Sequence, residues 1–464
     1  MLFQYLHRIL LLSTLAIAAL ILGEPRDARA FCGFYVGKAD DALVNHASQV
    51  VMAHHDDKTV ISLMNDYQGE PSEFAMVVPV PVVLQKGQVH IGDRELFKKI
   101  EAYSSPRLVE YIDPDPCQLM MPMAMGAAGA MERHTLNAAP SQAEAKALGV
   151  TVEAEYTVGE YDIVILSAKE SSGLETWLQQ SGYKIPLGAA RALEPYIRND
   201  MKFFVAKVNL TEHRRTGLTY LRPLQFAFES PRFMLPIRLG MINSQGPQDL
   251  VVYVLTENGR VETTNYRTVK LPTGMDIPEY VRGEFGDFYK AMFDEQVKRN
   301  DMRAVFTEYV WNMGWCDPCA GPPLSREELK SLGVFWLDDN AGGAPRFRPG
   351  LVMPYPQPGG GPMPVMLTRL HVRYSADTFP EDLIFQETQD QENFQARYVM
   401  HRAWDGSPTA CEAAKNYFDE LNKRRGHEAE TLADLTGWNL EDVIKKAGLP
   451  PESQPKPWWK DIWG

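Results

Sequence analysis

Runs of strand-forming residues follow one another along most of this chain, and this succession limits the fold more than any other feature of the sequence. "ASQVVMAH" and "KTVISLMND" combine β-branched residues with an alternation that is typical of half-buried strands. Helical spacing occurs between such runs, as in "DRELFKKIEAYS". Because helices are inserted rather than strictly alternating with strands, we expect an α+β fold with largely antiparallel β-sheets and a helical C-terminal segment.

Three local patterns predict details of the sheets. The two runs that flank the segment from His54 to Asp57 predict a hairpin. A second hairpin is expected around Asn258-Gly259, because this dipeptide favours tight turns between strands. The run "FAMVVPVPVV" contains two prolines, which cannot donate to a sheet ladder, so we expect it at the edge of a sheet.

Changes in composition divide the chain into five parts. The first two are a cleaved signal peptide over residues 1–30 and a β-rich N-terminal segment over residues 31–118. Residues 119–148 contain many Met and Ala residues without a strand period, which is typical of a mobile loop or linker. We expect an α+β main body over residues 149–407 and a charged, helical C-terminal segment over residues 408–464.

The N-terminus has the pattern of an export signal. The apolar run from Ile9 to Leu22 is shorter than the ~20 residues needed to span a bilayer, and the small-x-small sequence from Ala28 to Ala30 follows it. We predict cleavage that leaves Phe31 first, with an uncleaved anchor as the alternative. Since later apolar runs are too short to span a membrane, we expect a soluble protein in the periplasm or outside the cell.

The charge of the mature chain disfavours two classes of partner. Cleavage would remove three basic and two acidic side chains from the 47 and 60 of the whole chain, which leaves a net charge of −14. Nucleic acids and anionic membrane surfaces both attract positively charged proteins. We therefore expect no nucleic acid among the partners and no binding to anionic membrane surfaces.

Four long strings of sequence resemble a bacterial exported-protein family that is catalogued as domain of unknown function 2330. The resemblance extends from about Cys32 to about Trp404. It implies an exported bacterial protein, and it implies no catalytic residues because the family has no assigned activity. The strings are "CGFYVGKADDALVNHASQVV", "EFAMVVPVPVVLQKGQVHIGD", "YSSPRLVEYIDPDPC" and "LRPLQFAFESPRFMLPIRLGMINSQGPQDLVVYVLT".

All five cysteines lie after the predicted cleavage site, where disulfides are the default expectation. We expect Cys32 to pair with Cys117, because the two bracket the first segment and adjoin stiff, extended chain. Closing a loop of this length stabilises a fold by roughly 4 kcal/mol in the chain-entropy treatment. The remaining cysteines are Cys316, Cys319 and Cys411.

Cys316 and Cys319 form a Cys-x-x-Cys motif that differs by one residue from the Trp-Cys-Gly-Pro-Cys sequence of thioredoxins. A redox motif of this kind needs its first sulfur at a helix N-terminus, where backbone N–H groups stabilise the thiolate. Two consecutive prolines soon after Cys319 prevent a continuous helix, and the carboxylate of Asp317 opposes a thiolate.

We therefore expect Cys316 and Cys319 to be structural, bonded to each other or one of them to Cys411. A redox-active pair on a different fold and a zinc site are the alternatives. The zinc site would need further ligands, because the motif supplies two.

Weaker patterns suggest metal sites and a docking tail. A methionine cluster in the 119–148 segment suggests Cu(I) binding, although a low-complexity loop explains it more simply. The segment from His54 to Asp57 suggests a metal site, with a solvated turn as the simpler interpretation. The Trp-rich C-terminus would dock to a partner or pack onto the body. The methionines are Met120, Met121, Met123, Met125 and Met131.

No His-Glu-x-x-His or Gly-x-Ser-x-Gly motif occurs in the sequence, so we assign no catalytic residue, metal or cofactor. The expected function is that of an exported, disulfide-stapled binding or scaffolding protein, with a protein or envelope component as partner. The alternative is an extracytoplasmic thiol–disulfide oxidoreductase with Cys316 as nucleophile and Cys319 as resolving thiol.

Overall fold

Two large β-sheets pack face to face at the centre of the molecule, and helices cover both outer faces. In a computed structural model, the described residues are 34–37, 45–67, 74–118, 150–180, 189–218, 220–243, 246–318, 320–337 and 363–450. Within these ranges the α+β fold with mostly antiparallel sheets is confirmed.

The strands are β1 Phe34–Gly37, β2 Asn45–His55, β3 Lys58–Tyr67, β4 Phe74–Val80, β5 Val89–Ile91, β6 Arg107–Ile112, β7 Val150–Val158, β8 Tyr161–Ala168, β9 Lys202–Val208, β10 Leu224–Glu229, β11 Met234–Leu235, β12 Gln248–Thr256, β13 Val261–Thr263, β14 Arg267–Lys270, β15 Met275–Asp276, β16 Ala304–Asn312, β17 Met366–Tyr374, β18 Leu383–Glu387, β19 Phe394–Gln395 and β20 Arg397–Arg402.

The α-helices of the described ranges are α1 Arg94–Ser104, α2 Ser171–Gln180, α3 Ala189–Arg198, α4 Leu210–Thr216, α5 Phe285–Arg299, α6 Arg326–Ser331, α7 Glu412–Thr436 and α8 Leu440–Lys446. Short 3₁₀ helices cover Lys86–Gln88, Leu239–Asn243 and Glu279–Glu284. The helical C-terminal segment is confirmed as far as α8.

The larger sheet has the strand order β14-β16-β17-β12-β2-β3-β10-β5, and β19 pairs with β16. The pairs β12–β2 and β14–β16 are parallel, and the other pairs are antiparallel. The smaller sheet, β1-β4-β9-β8-β7, is antiparallel throughout. Both sheets combine strands from residues 31–118 with strands from residues 149–407, so these two segments fold together.

Four layers follow from the way the side chains are buried. One core cluster lies between the two sheets, with residues such as Val50 from the larger sheet and Ile163 from the smaller one. Helices α2 and α3 cover the outer face of the smaller sheet. Helices α1 and α6 cover part of the outer face of the larger sheet, and α5, α7 and α8 cover the rest. The outer face covered by α1 and α5 carries the first candidate site.

Of the predicted hairpins, the first is confirmed and the second is wrong. Strands β2 and β3 pair across Asp56, whose φ is 51°. Strand β12 instead lies between β17 and β2, and β13 pairs with β18. A Cβ on Gly259 would lie 2.2 Å from the carbonyl oxygen of Thr388, so this glycine permits a close backbone approach. The Asn-Gly signal marks that approach and not a two-strand turn.

The proline-containing strand β4 is not an edge strand, because it lies between β1 and β9. Its pairing with the short strand β1 ends at Val77. Pro79 lies beyond this point and faces Phe203 of β9 on the other side. The missing N–H of Pro79 therefore removes no bond to β1, and the sheet accommodates the proline.

A small parallel sheet, β15-β20-β6, lies beside helix α7. In this sheet Asp276 pairs with Val399 and Arg402 pairs with Ile112, so three distant chain segments meet there. Among the described helices, each is too short or too polar to cross a membrane.

Candidate functional site

Charged side chains meet inside the protein on the outer face of the larger sheet. Arg369 lies on β17, Glu308 on the neighbouring strand β16, and Glu101 on the covering helix α1. The pairing of β16 with β17 shifts between Thr307 and Tyr309, which leaves Glu308 as the extra residue of a bulge. Such a bulge changes the direction of a side chain, and here the carboxylate contacts Arg369.

The guanidinium of Arg369 makes hydrogen bonds to four neighbours. Its Nε donates to Glu308 Oε2 at 2.5 Å, and its Nη2 donates to Glu101 Oε1 at 3.0 Å. Its Nη1 donates to Ser105 Oγ at 3.2 Å and to the Tyr253 hydroxyl at 3.3 Å. Glu308 is 0% exposed and Arg369 is 5% exposed, so solvent contributes little to their solvation.

A second set of contacts joins Glu308 to helix α5. Tyr289 of α5 donates its hydroxyl proton to Glu308 Oε1, and His371 Nδ1 lies 2.8 Å from the same oxygen. The His371 ring stacks on Phe293 with centroids 3.8 Å apart. We call Glu101, Tyr253, Tyr289, Glu308, Arg369 and His371 the Arg369 network.

The pKa shifts indicate that the carboxylates of this network are ionised. Burial raises the pKa of Glu308, but the charges of Arg369 and His371 and their hydrogen bonds outweigh it and lower the pKa to about 2. Burial likewise opposes ionisation of Glu101, and Arg369 again prevails and lowers its pKa. Burial raises the pKa of Tyr289 well above its usual value, so its hydroxyl stays a proton donor.

The Arg369–Glu308 pair at the centre of the network is enclosed and hydrogen-bonded to protein groups, which suits a structural role better than catalysis. The network ties two strands to α1 and α5 through charge-assisted hydrogen bonds. A substrate would therefore have to displace α1 or α5 to reach Glu308.

In the loop after β16, Cys316 is exposed and is bonded to none of the described cysteines. Asp317 turns inward instead, where its Oδ2 accepts hydrogen bonds from the Tyr309 hydroxyl at 2.9 Å and from Gln395 Nε2 at 3.0 Å. Helix α6 begins only at Arg326, so Cys316 is not at a helix N-terminus. Cys319 lies outside the described residues, and the Cys316–Cys319 bond stays a prediction.

Cys117 is bonded to Cys411, which corrects the predicted pairing with Cys32. The two Cα atoms are 6.0 Å apart, although 294 residues separate them in the sequence. Parallel pairing of β6 with β20 carries the chain after each strand to the same edge, and α7 starts there. This long-range pairing could not be read from spacing, which favoured the nearer Cys32. That residue lies outside the described ranges.

A second group of charged side chains lies near the disulfide. Asp113, just after β6, accepts hydrogen bonds from the Tyr417 hydroxyl and from Arg424 Nη2, both at 2.6 Å and both from α7. His401 of β20 lies between two carboxylates, with Nδ1 3.6 Å from Asp113 and Nε2 3.3 Å from Asp276. We call Asp113, Asp276, His401, Tyr417, Arg424 and Glu428 the Asp113 cluster.

Burial affects the two inner carboxylates of this cluster differently. It opposes ionisation of Asp113, but hydrogen bonds from Arg424 and Tyr417 prevail and lower the pKa. Glu428 is less well compensated, and burial raises its pKa despite Arg424 Nε at 3.3 Å. Asp276 at the rim is 44% exposed. The Asp113 cluster thus fastens α7 to the small sheet while remaining partly open to solvent.

The segment from His54 to Asp57 forms the predicted turn but offers no metal site. His54 stacks on Phe233 at 3.7 Å, and burial, with His55 adding, lowers its pKa to about 4. His55 Nδ1 lies 3.1 Å from a carboxylate oxygen of Glu257. Across the described ranges, no three His, Cys, Asp or Glu side chains converge as metal ligands would.

Several predicted features fall on parts of the chain that the structure does not describe. These are residues 1–30 with the signal pattern, the methionine cluster of residues 120–131 and the Trp-rich end over residues 458–463. The predictions made for them stand as predictions.

Sequence reasoning did not find either charged cluster. Glu308 lies within "RAVFTEYVW" and Arg369 and His371 lie within "TRLHVRYS", where polar residues at alternate positions suggest a solvent-facing side. A buried polar face gives the same alternation, because the side-chain period of a strand does not depend on what covers it. Only the helices packed above the sheet distinguish the two cases.

Comparison with known proteins identifies the family of the chain. Residues 26–386 match the model of the bacterial family described as "Uncharacterized protein conserved in bacteria (DUF2330)". The match covers more than half of the sequence, so the chain belongs to this family. No curated protein and no solved structure matches it.

Proposed function

We propose that this family member is exported across the inner membrane. In the compartment beyond that membrane, it would act as a disulfide-stapled binding or scaffolding protein. The observation that carries the proposal is the Cys117–Cys411 bond, which joins distant parts of the chain at a solvent-accessible position. Disulfides form and persist in oxidising compartments and are rare in the cytosol. The signal-like segment over residues 1–30 supports the same compartment.

A binding role is favoured over catalysis by the distribution of charged and apolar groups. The most strongly perturbed carboxylate, Glu308, is enclosed, whereas catalytic groups must reach a substrate. Trp315 is 59% exposed and Phe335 is 42% exposed. Large aromatic side chains of this kind supply much of the binding energy at protein interfaces. We therefore place the binding surface of the proposal around Trp315.

Export is tested by expressing the full chain with a C-terminal tag in a bacterium and separating the cell fractions. We expect the protein in the periplasmic or extracellular fraction, with Phe31 as its first residue and Cys117 protected from alkylation. The double variant Ala28→Tyr/Ala30→Tyr is the control, because bulky residues at these positions block signal peptidase. A cytoplasmic protein with reduced Cys117 and Cys411 would contradict the proposal.

Binding is tested in the same cells with a photo-crosslinking residue at position 315. We expect one discrete crosslinked product. A crosslinker at Ile384 is the matched control, since this side chain is also apolar and 44% exposed. Equal labelling from both positions would contradict a specific surface at Trp315.

The second candidate function is thiol–disulfide exchange at Cys316 and Cys319, and the exposed thiol of Cys316 favours it. In this reaction, the Cys316 thiolate attacks a substrate disulfide and Cys319 resolves the mixed disulfide. An insulin-reduction assay tests it directly. Activity that is lost in Cys316→Ser and kept in Cys411→Ser supports exchange at this motif, and equal turnover in wild type and Cys316→Ser rejects it.

A further inference from the structure

The sulfur of Cys411 has the environment that the Cys316 motif lacks. Cys411 is the N-cap residue of α7, a helix of 25 residues, and its side chain makes no capping hydrogen bond. The first backbone N–H groups of a helix lack intrahelical partners and, with the helix dipole, stabilise a nearby anion. A thiolate released at Cys411 would gain this stabilisation, which makes Cys411 the better leaving group of the disulfide.

The other sulfur is the accessible one. Cys117 lies in an exposed turn after β6, where its N–H donates to Asp115 Oδ1 at 2.9 Å. Cys411 is half-buried against the start of α7. An incoming thiolate therefore meets Cys117 first, and attack at that sulfur expels the thiolate of Cys411. The carboxylate of Glu412 in the first turn of α7 opposes this step by partly cancelling the helix dipole.

The contacts that remain after reduction would keep α7 in place. Asp113 follows β6 and accepts hydrogen bonds from Arg424 and Tyr417 of α7. These bonds join the same two chain segments as the disulfide does. Trp404 N donates to the Tyr417 hydroxyl at 2.8 Å, which attaches the chain before Cys411 to the helix as well. Loss of the bond should therefore free the turn around Cys117 and the start of α7 without releasing the helix.

From these three features we infer that Cys117–Cys411 is a reversible redox clasp that a dithiol protein of the thioredoxin type opens and closes. In the opening direction, one thiolate of the dithiol bonds to Cys117 Sγ while the sulfur–sulfur bond to Cys411 breaks. The second thiol of the dithiol then displaces Cys117. Two electrons pass from the dithiol to the clasp, the dithiol becomes a disulfide, and both cysteines end as thiols or thiolates.

The first experiment measures how easily the clasp opens in the folded protein. Purified full-length protein is treated with dithiothreitol in native buffer, and alkylated peptides are quantified by mass spectrometry while circular dichroism follows the fold. We expect complete reduction of Cys117–Cys411 with an unchanged spectrum. Reduction that occurs only in denaturant, or only together with loss of the spectrum, overturns the inference. Neither outcome depends on export.

The second experiment compares the two thiols of the reduced protein. At pH 7 we expect iodoacetamide to modify Cys411 about tenfold faster than Cys117, because the N-terminus of α7 favours the thiolate form of Cys411. Glu412→Gln should accelerate Cys411 further and leave Cys117 unchanged, because it removes the carboxylate that opposes the thiolate. Equal rates for the two thiols, or no response to Glu412→Gln, would overturn the role of the helix N-terminus.

Discussion

The Arg369 network and the Asp113 cluster both join strands to a helix through carboxylates and an arginine, but they differ in exposure. In the central ion pair of the first, Glu308 is 0% and Arg369 6% exposed, whereas in that of the second, Asp113 is 9% and Arg424 29% exposed. Removing one partner from an enclosed ion pair leaves an unpaired buried charge, whereas water compensates much of the loss at a half-open one. The Arg369 network is thus part of the core, whereas the Asp113 cluster attaches helix α7 to the small sheet at a position that solvent partly reaches.

The largest effect is expected from Arg369→Met, which leaves Glu308 and Glu101 without their common partner. We predict a loss of about 3–5 kcal/mol in the free energy of unfolding, measured by urea denaturation. Arg299→Met is the control, because Arg299 pairs with Asp434 at the surface and should lose less than about 1 kcal/mol. A similar loss in the two variants would show that enclosure does not distinguish these ion pairs.

Cys411→Ser should have the next largest effect. It removes the covalent bond between the start of α7 and the turn after β6. We predict a loss of about 2–4 kcal/mol in the free energy of unfolding. Wild-type protein under reducing conditions should match the variant. A stability unchanged by the substitution would mean that the bond adds nothing to the Asp113 cluster.

Asp113→Asn should lower the free energy of unfolding by less, because it weakens the hydrogen bonds and the ion pair to α7 but leaves the disulfide intact. We predict a loss of about 1–2 kcal/mol, because Arg424 and Tyr417 lose a charged acceptor. Asp276→Asn at the exposed rim is the matched control, with a change of less than about 0.5 kcal/mol. The Asp113 effect should grow in a Cys411→Ser background, and simple additivity would contradict a shared fastening.

The pH dependence of stability separates the two regions by its sign. The lowered pKa of Glu308, about 2 against an ordinary 4.5, stabilises the fold above pH 4.5, and this stability is lost as the pH falls towards 2. Glu428 behaves oppositely: its raised pKa stabilises the fold below about pH 4.5, and this contribution is lost as the pH rises through the folded pKa.

Unfolding experiments between pH 2.5 and 7 test both signs. Glu428→Gln should remove a slight decline in stability above pH 4.5, whereas Glu308→Gln should change the slope only at lower pH. Identical pH profiles for the two variants would contradict the assigned shifts.

The sequence predicted those parts of the fold that depend on local pattern. Helix α1 follows the apolar spacing of Leu96, Phe97 and Ile100 in the string that predicted it. The pairing of strands could not be predicted from the sequence. The residue pattern of β12 is equally compatible with β13 and with the distant strand β17 as its neighbour. The predicted pairing of Cys117 was wrong for the same reason, because its partner Cys411 lies 294 residues away in the sequence.

The candidate sites show the same limit. The doubt about Cys316 came from local features, the prolines after Cys319 and the carboxylate of Asp317, and the structure agrees that no helix begins at Cys316. The stronger redox candidate, Cys411, has no motif, because its properties arise from capping α7 and from meeting Cys117 in space. Glu308 and Arg369 are likewise brought together by a bulge that no periodicity reveals.

Hydrogen–deuterium exchange of the oxidised and the reduced protein, followed by mass spectrometry, tests most directly whether the two regions play these different roles. We predict faster exchange after reduction in residues 113–118 and 404–420 only. Strands β16 and β17, which carry the Arg369 network, should keep their protection. Faster exchange throughout both sheets would show that the disulfide stabilises the core. Unchanged exchange near Cys411 would show that the disulfide does not stabilise the start of α7.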